Sequence, residues 1–341
     1  MANERALLAQ VGLQTEFGTG VTPTIKAPWK VDYEDGQEQR ESEYDGGTWL
    51  PTTKITKLSD FASLKTSGDM DFEMLAVLLN SGLADVAPTG TDPYTHTYLM
   101  DPAAPGTPKP LTYLVGATGE NIGGTGPAVK LIDQYMQKLT LSGSINDKVV
   151  GHEAEWFGTA VNDNSGAGFA FEAGLTPPAN CEGLNALLGQ LNLQDAATTG
   201  GDFTTMTAFA CALIGWKLTI DTGLQPKWCL CDNKTTFSAT RVDNPAVELE
   251  ATIRTSATNY ALVRGKHLSR TFQELQLIVN GSLTRKATFN LTGWWQECKS
   301  AHVRENGDVV MKAKFAARVP YNQGTTPHFF GATVISKHGW T

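Results

Sequence analysis

The chain has 341 residues, of which 41% are hydrophobic and 18% charged, and its formal net charge is −8. This composition supplies enough apolar surface for a packed core, so it excludes wholesale disorder, and the length suits one large domain or two ordinary ones. The acidic balance disfavours bulk binding to a nucleic-acid backbone, and no apolar run is long enough for a membrane-spanning helix. The N-terminus lacks the apolar core of a signal peptide, so we expect no export by that route.

The first 50 residues are polar and rich in turn formers, with an acidic stretch from Tyr33 to Asp45. Aromatic side chains punctuate this segment, among them Tyr44 and Trp49. Aromatic residues in an otherwise polar segment favour docking over simple solvation. We therefore predict an N-terminal arm, residues 1–54, that becomes ordered against a partner.

Short β-type runs separated by Gly, Pro, Asn and Asp begin near Ile55. They predict strands over 61–66, 95–100, 111–116, 131–142 and 148–157, and the last two read as a hairpin that turns at 144–147. One helix interrupts them, because Phe72, Leu75, Leu78 and Leu79 share a helical face behind a possible cap at Asp71.

The second half shows the same texture after a polar linker. Leucines spaced from Leu184 to Leu191 predict a helix over 180–193, and alternation predicts strands over 214–221, 247–255, 275–280, 286–291 and 309–319. A weaker helical pattern covers 258–268. The order of strand, helix, strands and a long strand recurs at an offset of roughly 180 residues, which indicates a duplicated domain.

We therefore predict a mainly β fold with short helices, built from two tandem β-barrel or β-sandwich domains that are each flanked by a helix. The predicted domains cover 55–160 and 206–341, and a linker with a helix covers 161–205.

Motifs that carry chemistry are missing from the sequence. The five cysteines are scattered, and the Cys229-x-Cys231 pair lacks two further ligands for zinc. The six histidines form no metal-binding pattern, and we predict structural roles for His96 and His152. The Gly-rich stretch from Gly116 to Gly126 lacks the lysine of a phosphate-binding loop.

Two carboxylate pairs are spaced by two residues on predicted strands, Glu153 with Glu155 and Glu248 with Glu250. This spacing can serve a glycosidase, but on an amphipathic strand it is more typical of a solvated face. We predict a protein that is not an enzyme and that holds no metal and no cofactor.

Two further patterns concern strand faces. Lys312, Lys314 and Arg318 form a basic stripe, for which we favour solvation or ion pairs with acidic neighbours such as Glu248 over contact with nucleic acid. The rings of Trp294 and Trp295 should point to opposite faces of their strand, so at least one should meet a second layer or a partner.

The run from Gln10 to Thr24 (QVGLQTEFGTGVTPT) resembles the start of the tail tube, or major tail, proteins of long-tailed bacteriophages. The segments from Asp69 to Leu83 and from Tyr94 to Tyr98 are also similar to them, as is the later β-rich half. The resemblance implies helix-flanked β tube domains that polymerise into stacked rings. Two-domain chains of this family form trimeric rings that mimic sixfold ones, and the apparent duplication fits that variant.

The resemblance further implies a structural virion protein, made in the bacterial host cytoplasm, whose tube conducts DNA into the host. Its partners would be copies of itself, a tape measure protein in the lumen, and tail completion and tip proteins at the ends, with no membrane insertion. Inter-ring contacts are then expected in the arm, at Tyr33, Glu38, Tyr44 and Trp49. Lumen-facing residues are expected on alternating strands, at Glu153, Glu155, Glu248 and Glu250.

A ring of three copies would carry a formal charge of −24, three times that of one chain. An acidic lumen repels phosphates, so DNA would pass without specific binding. The alternative function is a glycan- or receptor-binding β-sandwich protein of a virion, in which surface Trp and Tyr rings stack on sugars. A β-sandwich hydrolase has the least support.

Overall fold

A computed structural model describes residues 7–44, 52–83, 85–100, 107–117, 128–161, 169–179, 181–195, 203, 206–208, 212–227, 238–241, 244–281, 284–305, 307–318 and 329–340. The fold is mainly β with short helices, as the sequence predicts. None of the helices in this part of the chain has the length and apolar character needed to cross a bilayer.

The first half of the chain contains, in order, β1 (Leu7–Leu13), β2 (Ile25–Ala27), β3 (Lys30–Tyr44), β4 (Thr52–Asp69), α1 (Phe72–Gly82), β5 (Asp85–Thr89), β6 (Tyr94–Met100), β7 (Leu111–Ala117), β8 (Val129–Ser144) and β9 (Gly151–Val161). Helix α1 begins where the Asp71 carboxylate accepts a 2.6 Å hydrogen bond from the Met74 N–H. All of its residues are buried, so it is a core helix rather than a surface one.

The second half contains a 3₁₀ turn (Ala186–Leu188), β10 (Gly189–Asp195), β11 (Thr207–Ala208), β12 (Leu213–Asp221), β13 (Leu224–Lys227), β14 (Ser238–Arg241), β15 (Ala246–Arg254), α2 (Ala257–Tyr260), a π-helical turn (Ala261–Gly265), α3 (Lys266–Ser269), β16 (Gln273–Asn280), β17 (Lys286–Glu305), β18 (Asp308–Ala317) and β19 (Phe330–Ser336). Residues 257–269 are helical without a break, and we call them the second helix. The predicted helix over 258–268 is thus confirmed, and Gly265, which weakens the helical pattern, ends the π turn.

Eight of the described strands form one antiparallel run, in which each strand pairs with the next in the order β3, β4, β9, β8, β12, β15, β18 and β17. We call this run the eight-stranded sheet. Residues alternate along its strands between a buried face and a solvent face; in β15, for example, Val247, Leu249, Ala251 and Ile253 are buried.

A second layer covers the buried face. In it β2, β1 and β7 pair in series with the beginning of β8, while β10, β16 and β19 join the beginning of β17. The layers meet at ring contacts such as that of Tyr113 in β7 with Trp156 in β9, whose centroids are 5.6 Å apart. Strand β17 passes from one layer to the other at Gly293, where a Cβ would collide with the Ala316 carbonyl.

The strand pairing occurs twice in the chain. In the first half β1 pairs with β7, β7 with β8, β8 with β9, β9 with β4 and β4 with β3. In the second half β10 pairs with β16, β16 with β17, β17 with β18, β18 with β15 and β15 with β12. These two sets, with their helices, are the first repeat and the second repeat.

Individual residues also correspond between the repeats. Leu64 of β4 lies between Tyr33 and Trp156, and Leu249 of β15 lies between Leu218 and Phe315. The pairing of β8 with β9 slips between Met136 and Lys138, and that of β17 with β18 slips between Trp295 and Glu297. Because the same bulge recurs at the same place, the register of the whole repeat is fixed.

The structure corrects two details of the sequence prediction. The helix predicted over 180–193 is wrong for the described residues 181–193: Leu191 and Leu193 alternate into the core from β10, and Leu187 is 52% exposed. The counterpart of 309–319 is β9 rather than 131–142, since β18 takes the place of β9 in the repeated pairing. The domain limits proposed from sequence stay a prediction; the limit at residue 54 falls inside β4, and β1 already belongs to the first repeat.

Candidate assembly surfaces

The four glutamates predicted to face a lumen lie on the solvent face of the eight-stranded sheet. Glu153 and Glu155 are exposed on β9, and Glu250 is exposed on β15 beside the half-buried Glu248. The structure therefore brings both carboxylate pairs to one side of one sheet. Whether this side lines a channel stays a prediction.

Lysines are interleaved with these acids. Glu155 lies opposite Lys65 on one neighbouring strand and Lys138 on the other, and Glu250 lies between Lys217 and Lys314 in the same way. Opposite charges facing each other across a strand pair stabilise the sheet by about 0.2–1 kcal/mol each. The solvent face is thus a ladder of alternating sign rather than the purely acidic wall expected from net charge.

The predicted ion pairing of the basic stripe is confirmed for Lys314, whose ammonium lies 2.8 Å from Glu248. This hydrogen-bonded contact is the main cause that raises the pKa of Lys314. Lys312 pairs instead with Glu305 at 2.9 Å. Both lysines contribute to the alternation of acidic and basic side chains on the solvent face of the eight-stranded sheet, which we call the charge ladder.

The two outermost strands of the eight-stranded sheet are β3 and β17. Among the described strands, β3 pairs only with β4. Strand β17 pairs with β16 as far as Gly293, and beyond this residue its pairing in the described part of the chain is with β18 alone. Each of these two outermost strands therefore has an edge along which another strand can add.

Strands β3 and β4 extend past the sheet as a hairpin. Their pairing runs from Gly36 opposite Phe61 to Tyr44 opposite Thr52, whereas β4 contacts β9 only from Ala62 onward. We call residues 36–44 and 52–61 the hairpin arm. The polar segment predicted from sequence is thus part of a two-stranded ribbon that projects from one end of the sheet.

Two of the four residues predicted for inter-ring contact lie in the described part of this arm. Glu38 lies in its paired part opposite Ser59, and Tyr44 lies at the far end of β3. Tyr33 lies below the arm, half-buried against the core. Trp49 falls outside the described residues. Their role in contacts between rings stays a prediction.

The opposite end of the sheet carries exposed apolar side chains. Ile145 and Val149 flank the β8–β9 turn, and Leu187 and Leu188 lie in the adjoining 3₁₀ turn, with exposures of 38%, 39%, 52% and 45%. The segments are neighbours because the Ala186 N–H donates to the Lys148 carbonyl. We call these four residues the turn-end patch.

A buried polar cluster joins the two repeats. Glu73 of α1 is fully buried, and its Oε1 lies 3.0 Å from Nε of Arg285, which precedes β17. Arg285 also binds Glu182 at 3.1 Å. These two carboxylates, by hydrogen bonds and by charge, raise the pKa of Arg285, although desolvation works in the opposite direction. Because its residues are distant along the chain, no local pattern in the sequence predicts this contact.

Asp71, Glu73 and Cys181 place possible metal ligands within 4.8 Å of one another. Their atoms already have structural partners, since Asp71 caps α1 and Glu73 pairs with Arg285. Desolvation raises the pKa of Asp71 to about 6 and that of the Cys181 thiol to about 12. Because Asp71 and Glu73 already have these partners within the fold, the cluster fits a structural junction.

Two histidines predicted to be structural are confirmed as such. His96 is buried, with Nε2 2.9 Å from the His338 carbonyl. His152 is buried against Trp29, and its Nδ1 donates to the Gly68 carbonyl at 2.9 Å. Desolvation lowers the pKa of His152 to about 4, so the ring is neutral at physiological pH.

The adjacent tryptophans of β17 point to opposite faces, as predicted. Trp295 is buried and packs edge-on against Phe315, with centroids 5.3 Å apart. Trp294 meets Phe272 edge-on and lines a groove of about 690 Å³ together with Leu268, which is 64% exposed. The groove lies beside the outer edge of β17.

Comparison with known proteins adds no family to these observations. A scan against protein-family models gave no match to the sequence. A search of curated proteins gave no significant match.

Proposed function

We propose that this chain is a structural subunit of a bacteriophage tail tube, which assembles with its own copies into stacked rings around a central channel. The observation that carries the proposal is the repeated strand pairing, which joins two equivalent units into one sheet. The outermost strands of this sheet, β3 and β17, each keep an edge to which another strand can add. The sequence resemblance to tail tube proteins supports the same function independently.

The pairing of β8 with β12 supports a ring. It joins the two repeats side by side through seven residue pairs, from Gly215 opposite Ser144 to Asp221 opposite Lys138. A contact between unlike edges generates a closed ring when the rotation between successive units closes. Three copies with two repeats each would give a ring of six equivalent units.

The two ends of the sheet support stacking. The hairpin arm projects from one end, and the turn-end patch lies at the other, where β8 turns into β9. Exposed apolar side chains in a cluster mark interaction sites. In a stack, the arm of one ring would cover the patch of the next.

The proposed tube is a virion component that is assembled in the host cytoplasm and has no catalytic role. The solvent face of the eight-stranded sheet would line the channel, where its balanced charges offer DNA no continuous basic path. A tape measure protein in the lumen, and completion and tip proteins at the ends, are the partners that this function requires.

Size-exclusion chromatography with light scattering, followed by negative-stain microscopy of the purified chain, tests the proposal. We expect oligomers with a central hole, and tubes at high protein concentration. A chain that stays monomeric at high concentration and binds a glycan would instead support a receptor-binding protein.

A further inference from the structure

The geometry points to a specific contact between copies: the outer edge of β17, beginning at Glu297, pairs with the outer edge of β3 in a second copy, in the register that β8 and β12 already show within one chain. This inference rests on the proposed function, since it assigns the contact that closes the ring. It commits to one partner, a second copy of this chain.

The internal repeat supplies the register. Lys138 of β8 and Glu297 of β17 are equivalent, because each follows the same bulge and faces the equivalent residue, Glu155 or Lys314, of the next strand. Within the chain, Lys138 lies opposite Asp221 of β12.

The partner residue follows in the same way. Strand β12 is equivalent to β3, since Leu218 faces Leu249 just as Tyr33 faces Leu64. Counting three residues onward from each, Asp221 corresponds to Gly36. The inferred contact therefore places Gly36 of one copy opposite Glu297 of the next.

The charges beside this pair are complementary. Counting two residues away from Gly36 on one strand and from Glu297 on the other brings Glu34 beside Lys299. Both side chains are exposed, and Lys299 is 78% exposed even though it contacts Glu297 at 2.6 Å in the single chain. An additional acid across the strand pair would stabilise the contact and favour this register.

Two side chains of the second helix already bind carbonyls along this edge. Arg264 donates to the Cys298 carbonyl at 3.0 Å, and His267 donates to that of Trp295 at 2.7 Å. In the first repeat Met136 takes the place of Trp295, and its carbonyl accepts from the Thr222 hydroxyl next to the paired β12 strand. A carbonyl oxygen has two lone pairs, so these contacts leave room for a strand to add.

Among the described residues, the surface next to the edge also lacks a cover that its equivalent has. Tyr135 of the first repeat packs with Phe157 and is covered by Leu224, which follows β12. Trp294 is the equivalent of Tyr135 and lines the groove beside Leu268. The inferred register brings the base of the second copy's hairpin arm, where β3 continues beyond Gly36, over this groove.

A disulfide cross-link tests the register. Cα atoms of directly opposed residues lie about 4.5–5.5 Å apart in antiparallel pairs, within reach of a disulfide. The variant G36C/E297C is oxidised under assembly conditions and run on a non-reducing gel. We expect a ladder of covalent oligomers that collapses on reduction.

The controls are the two single variants, which report on the five native cysteines, and the double variant G36C/R304C. Arg304 lies on the same strand but roughly 20 Å from Glu297, so this variant should give no ladder. Rings in the microscope without a G36C/E297C cross-link, or with equal cross-linking of both double variants, would overturn the inferred register and leave the proposed function standing. A wild-type chain that forms no oligomer would overturn both.

Discussion

The pKa values of two buried side chains in the first repeat are shifted so that they oppose each other as the pH falls. Burial lowers the pKa of His152 to about 4, and burial raises that of Asp71 to about 6. Between about pH 6.5 and 4 the unfolded chain binds a proton at His152 that the folded chain does not, so acid removes stability. Asp71 acts in the opposite sense, because its ionised form destabilises the fold as the pH rises through about 6.

Matched variants separate these two effects. H152Q removes the first, so on passing from pH 7 to pH 4 it should gain about 3 kcal/mol of unfolding free energy relative to wild type. D71N keeps a capping side chain but removes the second effect, so it should lose about 2 kcal/mol relative to wild type over the same range. Urea denaturation at each pH measures both. Slopes of the same sign in the two variants would contradict the assignment.

The ion pair of Arg285 with Glu73 predicts a strong asymmetry between single and double variants. R285M leaves the Glu73 carboxylate buried without its cation, and this should reduce the free energy of unfolding by about 3–5 kcal/mol. R285M/E73Q removes the buried charge as well and should recover part of that loss. The matched control, R304M, removes an exposed arginine and should change stability by less than about 0.5 kcal/mol. Equal losses in R285M and R304M would show that the pair contributes little.

At the scale of elements, prediction from the sequence was accurate where one periodicity dominated. Helix α1 was predicted together with its Asp71 cap, and the strands around Leu249 and Phe315 follow strict alternation. The prediction for 180–193 was wrong because leucines from Leu184 to Leu191 have helical spacing, whereas Leu191 and Leu193 alternate as in a strand. Pairing of β10 with β16 stabilises the strand. Tertiary contacts of this kind carry no local signal.

The hairpin arm gives the prediction that belongs to this scale. Arg40 lies opposite Thr56, so residues 41–55 can be replaced by Asn-Gly, which favours a two-residue hairpin turn. The variant keeps the β3 edge and the base of the arm but loses the projecting part. We expect rings of normal size that no longer elongate into tubes, as judged by negative-stain microscopy. Tubes of wild-type length would show that stacking does not use the arm.

At the scale of the whole molecule, the duplication was visible in the order of elements, but the edges that would join copies were not. Strands β3 and β17 have the same alternation as interior strands, and only their pairing shows that they are outermost. The charge ladder was hidden for a similar reason. The lysines opposite Glu155 and Glu250 come from strands distant in sequence, so net charge alone predicted an acidic face.

The charge ladder leads to a prediction about DNA. If the solvent face lines the channel, its lysines are kept from phosphates by the acids opposite them, and removing those acids should create a binding path. In E153Q/E155Q/E250Q, Lys65, Lys138 and Lys217 lose facing carboxylates. Lys314 loses the facing Glu250 but keeps its contact with Glu248. Assembled rings of this variant should retain short duplex DNA on a filter at about 50 mM salt and release it at about 200 mM, whereas wild-type rings should retain none.

The matched control, E16Q/D92N/E172Q, changes the net charge by the same amount at exposed positions outside the eight strands. Because those acids do not face the lysines of the ladder, this variant should behave like the wild type. Equal DNA retention by both variants would mean that net charge alone governs DNA binding. In that case the alternation of lysine and glutamate along the sheet would serve strand pairing rather than DNA passage.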